Sequence, residues 1–400
     1  MRCAQAYSTS VDLDQAIPEC CATLEAALDG QPPHLVMVFF TSHHTPQAEA
    51  LRAALTERLK SEVLLGCPAS AVIAGSTESA ASPGLVVWAA HWPGVQLQPF
   101  ALRPVHQGQE PTLQGWPDPG DIPPSAGFLI LSDPFSAPSE VLLADFSKRF
   151  PNHLMVGGLA SATTENNQGT LLSTHSVNTE GLVGVAISGS VQLDAVVSHG
   201  CRPVGHHFVI TSASRHMIHE LGGKPALTQL QATMKDADKR ARELMQEGAL
   251  HIGRVVDERK SSFGPADLVV RNVLGFDPKA RSIAISDHVR RGQTVQFMVR
   301  DPAAAHDDLT TMLAAESERA APLGAVMFSC NGRHSHFFDD PNHDVHALHA
   351  ALGPVPTAGF FAAGEIGPVG GEAFLHGLTA SIALFRERER GEAQSEAASS

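Results

Sequence analysis

Residues 34–67, HLVMVFFTSHHTPQAEALRAALTERLKSEVLLGC, contain the pattern that decides the fold. An apolar run ends at Thr41-Ser42, a stretch with helical character follows from Ala48 to Leu59, and a second apolar run leads to Gly66-Cys67. Runs that are hydrophobic on consecutive positions are typical of strands covered on both faces of a sheet. The segment therefore predicts a strand, a helix and a second strand, which is the basic unit of an α/β fold.

The same plan recurs twice further along the chain. In residues 127–158 an apolar run ends at Ser132-Asp133-Pro134, and a predicted helix at 141–150 precedes Gly157-Gly158. In residues 325–359 the run ends at Ser329-Cys330-Asn331-Gly332, before a predicted helix near 345–352. Polar or small residues at strand ends supply helix N-caps and exposed amides at the sheet edge, where open α/β folds bind ligands. The recurrence predicts three related units.

Strand pairs are expected after the first two units. Residues 84–90 are expected to pair with 95–102, and 181–187 with 191–198 across a tight Ser188-Gly189-Ser190 turn. The predicted fold class is α/β with mixed α+β sheets, built from repeated strand–helix–strand units and hairpins. Further helices are predicted at 226–237 and 240–247, and further strands at 268–274, 283–286 and 295–299, with a turn at 277–281.

The chain length favours two domains, because 400 residues exceed what a single core usually holds. An N-terminal domain is expected at 1–205 and a C-terminal domain at 206–386. The segment 103–125 is rich in proline and is expected to be a surface linker between the first two units. The tail at 387–400 is rich in Glu, Arg, Ala and Ser and is expected to be disordered.

Composition narrows the function classes. A formal charge of −14, from 28 basic and 42 acidic residues, argues against binding nucleic acid, which requires a concentrated basic face. No apolar run approaches the roughly 20 residues of a membrane helix, and the opening residues lack the apolar stretch of a signal peptide. The six cysteines are scattered without a C-x-x-C pair, which favours reduced thiols. We therefore expect a cytoplasmic protein that binds neither nucleic acid nor membrane.

Two sets of motifs point to a known family. The first set is Phe297–Asp301, Phe328–Arg333, His343-Asp344, Ala358–Pro368 and Phe374–Ala380, and the second is Gly66-Cys67, Val156–Gly158 and Gly200–Gly205. The first set resembles the FIST C-terminal domain and the second resembles the FIST N-terminal domain. The resemblance covers nearly all of residues 30–386. It implies a sensory domain for small ligands, with amino acids as candidates, that signals through a separate protein partner.

A ligand site is predicted where the third unit's strands end. Arg333 offers a planar fork of donors to a ligand carboxylate, and Glu365 would meet its amino group. Two alternatives are that Arg333 and Glu365 pair with each other, or that Glu365 is a turn acid exposed to water. Asp301 is expected to cap a helix beginning at Pro302. Arg300 has no such role and is expected to face the same cleft as Arg333. The predicted ligand-binding residues are Cys330, Asn331, Gly332, Arg333, Gly359, Phe360, Gly364, Glu365 and Arg300.

Other chemistries have weaker support in the sequence. Cys330 lies near His334 and His336 and is a candidate nucleophile, but no catalytic triad or oxyanion-hole motif accompanies it. The histidines at 334, 336, 343, 346 and 349 form the densest cluster, without a recognised zinc spacing. The glycine pairs match no nucleotide-binding loop. We expect a non-enzyme without a cofactor, with a protein adaptor as the alternative and a thiol- or metal-dependent hydrolase as a third class.

Overall fold

The computed structural model of the protein describes residues 1–79, 83–106, 111–162, 169–334 and 337–388. These residues form two compact units. The first unit comprises residues 1–197, 310–375 and those from Ala380 onward, and the second comprises 198–309 and 376–379. The chain therefore runs from the first unit into the second and then back into the first.

The first unit contains three repeats. The first repeat consists of β1 (Arg2–Ser8), α1 (Leu13–Ala27), β2 (Leu35–Thr41), α2 (Ala48–Leu59), β3 (Val63–Ala69), β4 (Val72–Ala74), β5 (Thr77–Ser79) and β6 (Leu85–His91). The second repeat consists of β7 (Val95–His106), β8 (Pro111–Gln114), β9 (Gly127–Ser132), α3 (Ser139–Arg149), β10 (Leu154–Leu159), β11 (Leu171–Ser173), β12 (Val177–Asn178) and β13 (Leu182–Gly189).

The third repeat is interrupted by the second unit. It begins with β14 (Val191–His199). The inserted elements are β15 (Cys201–Ser214), β16 (Met217–Leu221), β17 (Lys224–Pro225), α4 (Ala226–Asp236), α5 (Lys239–Gln246), β18 (Leu250–Val255), β19 (Leu268–Asp277), β20 (Ser282–Ile285) and β21 (Thr294–Arg300), and α6 (Pro302–Ser317) leads back. The third repeat resumes with β22 (Gly324–Cys330), α7 (His343–Leu352), β23 (Thr357–Ala362), β24 (Glu365–Val369), β25 (Glu372–His376) and β26 (Thr379–Glu387).

All three repeats have the same strand order: β1-β6-β2-β3, β7-β13-β9-β10 and β14-β26-β22-β23. The last two strands of each set are parallel, and a helix connects them, as a parallel pair requires. The strand beside each pair is antiparallel to it. The predicted α/β class with mixed sheets and three strand–helix–strand units is confirmed.

The two predicted strand pairs are wrong. β6 lies between β1 and β2, and β7 is the first strand of the next sheet. Likewise β13 lies between β7 and β9, whereas β14 belongs to the third repeat. The reason is that both edges of β6 and of β13 are already paired, so the strand that follows has no edge to join. The Gly-containing turns are corners between sheets, and Gly94 and Gly189 adopt positive φ angles there (84° and 81°).

Each repeat also donates a short hairpin to a neighbour's sheet. β4–β5 of the first repeat extends the third sheet through β23, and β11–β12 of the second repeat extends the first sheet through β3. β24 of the third repeat, with β25 beside it, extends the second sheet through β10. The exchange is cyclic, so the second strand of every parallel pair is covered and each repeat is held by the other two.

One apolar core joins the three sheets. It contains fully buried side chains from all of them, for example Phe39, Trp88, Val156, Phe328 and Phe360. Helices α1 and α2 cover the outer face of the first sheet, and α3 covers the second. Each such side chain contributes about 1.5–3 kcal/mol when buried, so the repeats stabilise one another through a common interior.

The second unit is an antiparallel barrel. Its strands follow the order β15-β21-β18-β19-β20-β16, and β16 pairs with β15 again. Closing a sheet on itself removes its exposed edges. Its interior includes Phe208, Ile252 and Phe297, together with Leu230 from α4 and Leu244 from α5. The predicted helices and strands of this region and the turn at 277–281 are confirmed.

The chain passes through the expected domain boundary without a break, since residues 201–214 form the single strand β15. The compact units separate after Val197 instead. Within the proline-rich segment 103–125, residues to 106 and 111–114 are paired strands, and Leu113 and Ile122 are buried. Of the expected disordered tail, Glu387 closes β26 and residues 389–400 lie outside the described residues.

Candidate functional site

The carboxyl ends of β3, β10 and β23 meet at one edge of the first unit. The Ser70 amide donates to Ser161 Oγ at 2.8 Å, and the Ser161 hydroxyl donates to the Phe361 carbonyl. The Ala363 amide donates to the Leu159 carbonyl at 3.0 Å, and the Leu159 amide donates to the Gly364 carbonyl at 2.9 Å. Ser70 and Ala363 are exposed, so this junction of the three repeats, which we call the strand-end junction, is open to solvent.

The loop after β22 joins the strand-end junction. It is a 3₁₀ turn, Asn331–Arg333, and the exposed Asn331 accepts a hydrogen bond through Oδ1 from Ser70 Oγ at 2.6 Å. Cys330 is partly exposed, and its sulfur accepts a hydrogen bond from the Gly332 amide at 3.4 Å. Polar groups from the first, second and third repeats therefore line a single surface.

Arg333 lies directly beneath this surface and is paired with Asp344. The Arg333 side chain is buried, and its Nε and Nη2 donate to the two Asp344 oxygens at 2.8 and 2.7 Å. Ser329 Oγ donates to the same carboxylate at 2.7 Å, and His343 Nδ1 lies 2.9 Å from it. The Phe338 ring packs 5.2 Å from the guanidinium carbon. Nη1 of Arg333 has no hydrogen-bond partner among the described residues.

The electrostatics keep both partners ionised. Burial alone would raise the pKa of Asp344, but the Arg333 charge and the hydrogen bonds it receives hold that pKa well below its ordinary value. Burial would lower the pKa of Arg333, but its interaction with Asp344, with further contributions from the acidic groups of Cys330 and Glu365, outweighs burial and raises that pKa. The site therefore contains a buried guanidinium that stays positively charged. Asp344 binds its Nε and Nη2, and its Nη1 has no hydrogen-bond partner among the described residues.

Glu365 is a further acidic residue that acts on Arg333. It is the first residue of β24, pairs with Gly158 in the backbone register, and is fully buried. The alternative that Glu365 is an acid exposed to water is therefore wrong. The other alternative was an ion pair between Arg333 and Glu365. Glu365 does act electrostatically on Arg333, but Asp344 is the residue that forms the bidentate pair.

Glu78 is a third buried carboxylate at the site, and it comes from the exchanged β4–β5 hairpin. Its Oε1 accepts a hydrogen bond from the Val345 amide in the first turn of α7 at 2.9 Å, and its own amide donates to Asn342 Oδ1 at 2.8 Å. Burial, followed by the Asp344 charge, raises the pKa of Glu78 to about 8. The first repeat thus caps the helix that carries Asp344.

Three of the other predicted site residues lie elsewhere. Gly359 is in the interior of β23, where a Cβ would lie 2.0 Å from the Met327 carbonyl oxygen, so close strand packing explains this glycine. Phe360 is fully buried in the core, with its ring 5.1 Å from that of Phe39. Arg300 ends β21 in the second unit. Asp301 Oδ1 accepts from the Ala303 amide at 3.2 Å, which confirms the predicted cap of α6.

The histidines of the predicted cluster have separate partners. His346 Nδ1 lies 2.7 Å from Asp340, and His349 Nε2 lies 3.1 Å from the Val355 carbonyl oxygen. Burial lowers the pKa of His349. His336 lies outside the described residues. Within the described ranges, no group of three or more His, Cys, Asp or Glu side chains is arranged to hold a metal ion.

Comparison with known proteins shows which family the chain belongs to. The FIST N domain matches residues 34–224 and the FIST C domain matches residues 226–368. The chain belongs to the FIST family. FIST domains are associated with sensory signal transduction, and the FIST C match spans parts of both compact units.

Two relatives are similar over almost their full length. An uncharacterized protein of Mycobacterium tuberculosis is 38% identical over 391 residues, covering 96% of this chain and 100% of that protein. An uncharacterized protein of Mycobacterium bovis is 37% identical over 387 residues, covering 96% of this chain and 99% of that protein. In the part of the chain that the structure describes, no helix is long and apolar enough to cross a membrane.

The sequence left four important residues of the site unassigned. Asp344 follows Arg333 by 11 positions at the start of a predicted helix, and that placement is the signal that could have suggested the pair. Ser70 and Ser161 immediately follow apolar runs, in the position where the third unit has Ala363. The contribution of Glu78 follows only from the exchanged hairpin, which no local pattern reveals.

Proposed function

We propose that this FIST protein is a sensor that binds a small ligand at the strand-end junction. The observation that carries the proposal is the convergence of three repeats at one exposed edge above a buried cation, Arg333, whose Nη1 has no partner among the described residues. The carboxyl ends of parallel strands are where α/β proteins bind ligands.

The chemistry of the junction favours a small molecule with a carboxylate, such as an amino acid. Arg333 supplies positive charge from below, and Asn331 and Ser70 supply hydrogen-bonding groups at the surface. The carboxyl groups of Asp344 and Glu365 act on the same guanidinium, and acidic groups here suit a ligand amino group. These groups belong to different repeats. The binding free energy of the ligand would therefore be shared between the repeats.

A thermal-shift screen with amino acids and small carboxylates tests the proposal. A ligand present at about 100 times its Kd stabilises the folded protein by about 2.7 kcal/mol. Asn331→Ala and Ser70→Ala should weaken that stabilisation while leaving the unliganded melting temperature nearly unchanged, because both side chains are exposed. Arg333→Ala is a poor test, since removing it would leave Asp344 buried without its partner.

A matched control uses a cavity outside the junction. This cavity, of about 410 Å³, is lined by Glu25, Gln31, Arg58 and Lys60, among others. Gln31→Ala should leave the ligand response unchanged. A response abolished by Gln31→Ala and retained by Asn331→Ala would place the ligand in this cavity and contradict the proposal.

A protein adaptor without a small ligand is the second candidate, and one surface feature favours it. Leu274 and Phe276 on β19 of the second unit are 63% and 50% exposed. Exposed large apolar side chains on one strand are typical of protein-binding surfaces. A stoichiometric partner that binds the wild-type protein but not the Leu274→Ser/Phe276→Ser variant, without any ligand response, would support this function.

A further inference from the structure

Cys330 differs from the other cysteines in its surroundings. It lies at the exposed end of β22, and its sulfur accepts the Gly332 amide hydrogen bond at 3.4 Å. Backbone N–H donors and a neighbouring cation are the features that stabilise a thiolate. Burial, by contrast, raises the pKa of Cys20 to about 12 and that of Cys21 to about 11. Burial also raises the pKa of Cys3 and Cys67.

The neighbouring cation is Arg333, in the same 3₁₀ turn. A negative charge on Cys330 acts on the guanidinium, which places the two within electrostatic reach. The Arg333 side chain is 0% exposed and keeps Nη1 without a hydrogen-bond partner among the described residues, since Asp344 occupies Nε and Nη2. Arg333 therefore keeps hydrogen-bonding capacity in the turn that directly follows Cys330.

We propose that Cys330 is a modification site that reacts with hydroperoxides to form a sulfenic acid, with Arg333 as the positioning residue that stabilises the thiolate. The Cys330 sulfur gives its proton to solvent and attacks one peroxide oxygen. The S–O bond to the terminal hydroxyl oxygen forms as the O–O bond breaks, and the departing hydroxide or alkoxide takes up a proton to become water or an alcohol. The sulfur is oxidised by two electrons, and the peroxide is reduced by the same two.

Other charged groups shape this environment. Asp344 is negative and opposes a negative charge on the sulfur, but Asp344 and Glu365 both act on Arg333 as well. His334 follows Arg333 in the loop and packs with its ring 4.6 Å from that of Phe361. This inference is independent of the proposed ligand, because it requires only the partly exposed Cys330 and the buried guanidinium.

The experiment measures sulfenic acid formation in the reduced, full-length protein. Hydrogen peroxide is added with dimedone, which traps sulfenic acids, and the rate of adduct formation is followed on each cysteine peptide by mass spectrometry. The expected result is an adduct on Cys330 that forms at least about tenfold faster than on any other cysteine, because a thiol pKa lowered by one unit gives about tenfold more thiolate near neutral pH. Cys330→Ser should remove this fast phase, and Cys21→Ser should leave it unchanged.

The pH dependence of the wild-type rate tests whether the Cys330 thiolate is stabilised, and it requires no substitution of the buried Arg333. The rate on Cys330 should reach its plateau below about pH 8, where an ordinary thiol is still mostly protonated. A rate that keeps rising to about pH 9, or adducts that form equally fast on Cys3 and Cys330, would overturn the proposal.

Discussion

Asp344→Asn tests the buried ion pair at the centre of the site. Asparagine keeps the shape of the side chain but removes the charge and replaces one acceptor oxygen with a donor. Arg333 would then lie in a fully buried position without its bidentate counter-charge, and the groups that donate to the replaced oxygen would lose their acceptor. Breaking a buried pair by removing one partner costs about 3–5 kcal/mol, so the variant should lose this much unfolding free energy.

Urea denaturation followed by tryptophan fluorescence measures this loss. Trp88, Trp92 and Trp116 are the three tryptophans of the chain, and all belong to the first unit, so the signal reports the unit that contains the ion pair. Asp340→Asn is the matched control. Asp340 is 43% exposed and pairs with the exposed His346, so its replacement should cost less than about 1 kcal/mol.

A loss below about 1 kcal/mol for Asp344→Asn would refute this reasoning, because it would mean that Arg333 finds compensation elsewhere. A second variant separates charge from packing. Arg333→Met combined with Asp344→Leu removes both charges, and replacing a buried pair by apolar groups is often neutral or stabilising. The double variant should therefore be more stable than Asp344→Asn.

The remaining predictions concern the protonation of Glu78, the close packing at Gly359 and the helix cap at Asp301. Because the pKa of Glu78 rises to about 8 in the folded chain, the folded state holds the Glu78 proton more tightly than the unfolded state does. The stability that this proton contributes is lost as the pH rises from about 4.5 to about 8, with a slope of up to about 1.4 kcal/mol per pH unit. Glu78→Gln should remove this slope in urea titrations across the same pH range. Gly359→Ala should cost about 1–3 kcal/mol or more in the same assay, since the added Cβ would lie 2.0 Å from the Met327 carbonyl oxygen; an unchanged midpoint would show that β23 can move. Asp301→Ala should cost about 1 kcal/mol through the lost cap to the Ala303 amide, measured by circular dichroism during thermal unfolding, and no change would mean that α6 does not depend on its cap.

The repeated strand–helix–strand units were predictable from sequence because their signals are local. An apolar run, a polar strand end and an amphipathic helix lie within about 30 residues, and α2 has the predicted bounds Ala48–Leu59. The predicted site also had a physical basis, since strand ends with polar residues do meet at one edge. Cys330, Asn331 and Arg333 lie together as expected, and Gly364 contributes a carbonyl to the strand-end junction.

Pairing between distant segments was not predictable in the same way. Whether β7 pairs with β6 depends on whether the edges of β6 are free, and β1 and β2 occupy both. The exchange of hairpins places Glu78 beside α7, 267 residues away along the chain. A glycine-rich apolar stretch such as the one around Gly359 fits both a ligand loop and a tightly packed strand, and only the three-dimensional contacts distinguish them.

A crystal structure of the protein with the compound that gives the largest thermal stabilisation tests the central claim most directly. The account predicts density for the compound at the strand-end junction, within hydrogen-bonding distance of Asn331 or Ser70 and with its anionic group toward Arg333. A compound bound in the cavity between Glu25 and Arg58, or one whose binding leaves the junction empty, would contradict it.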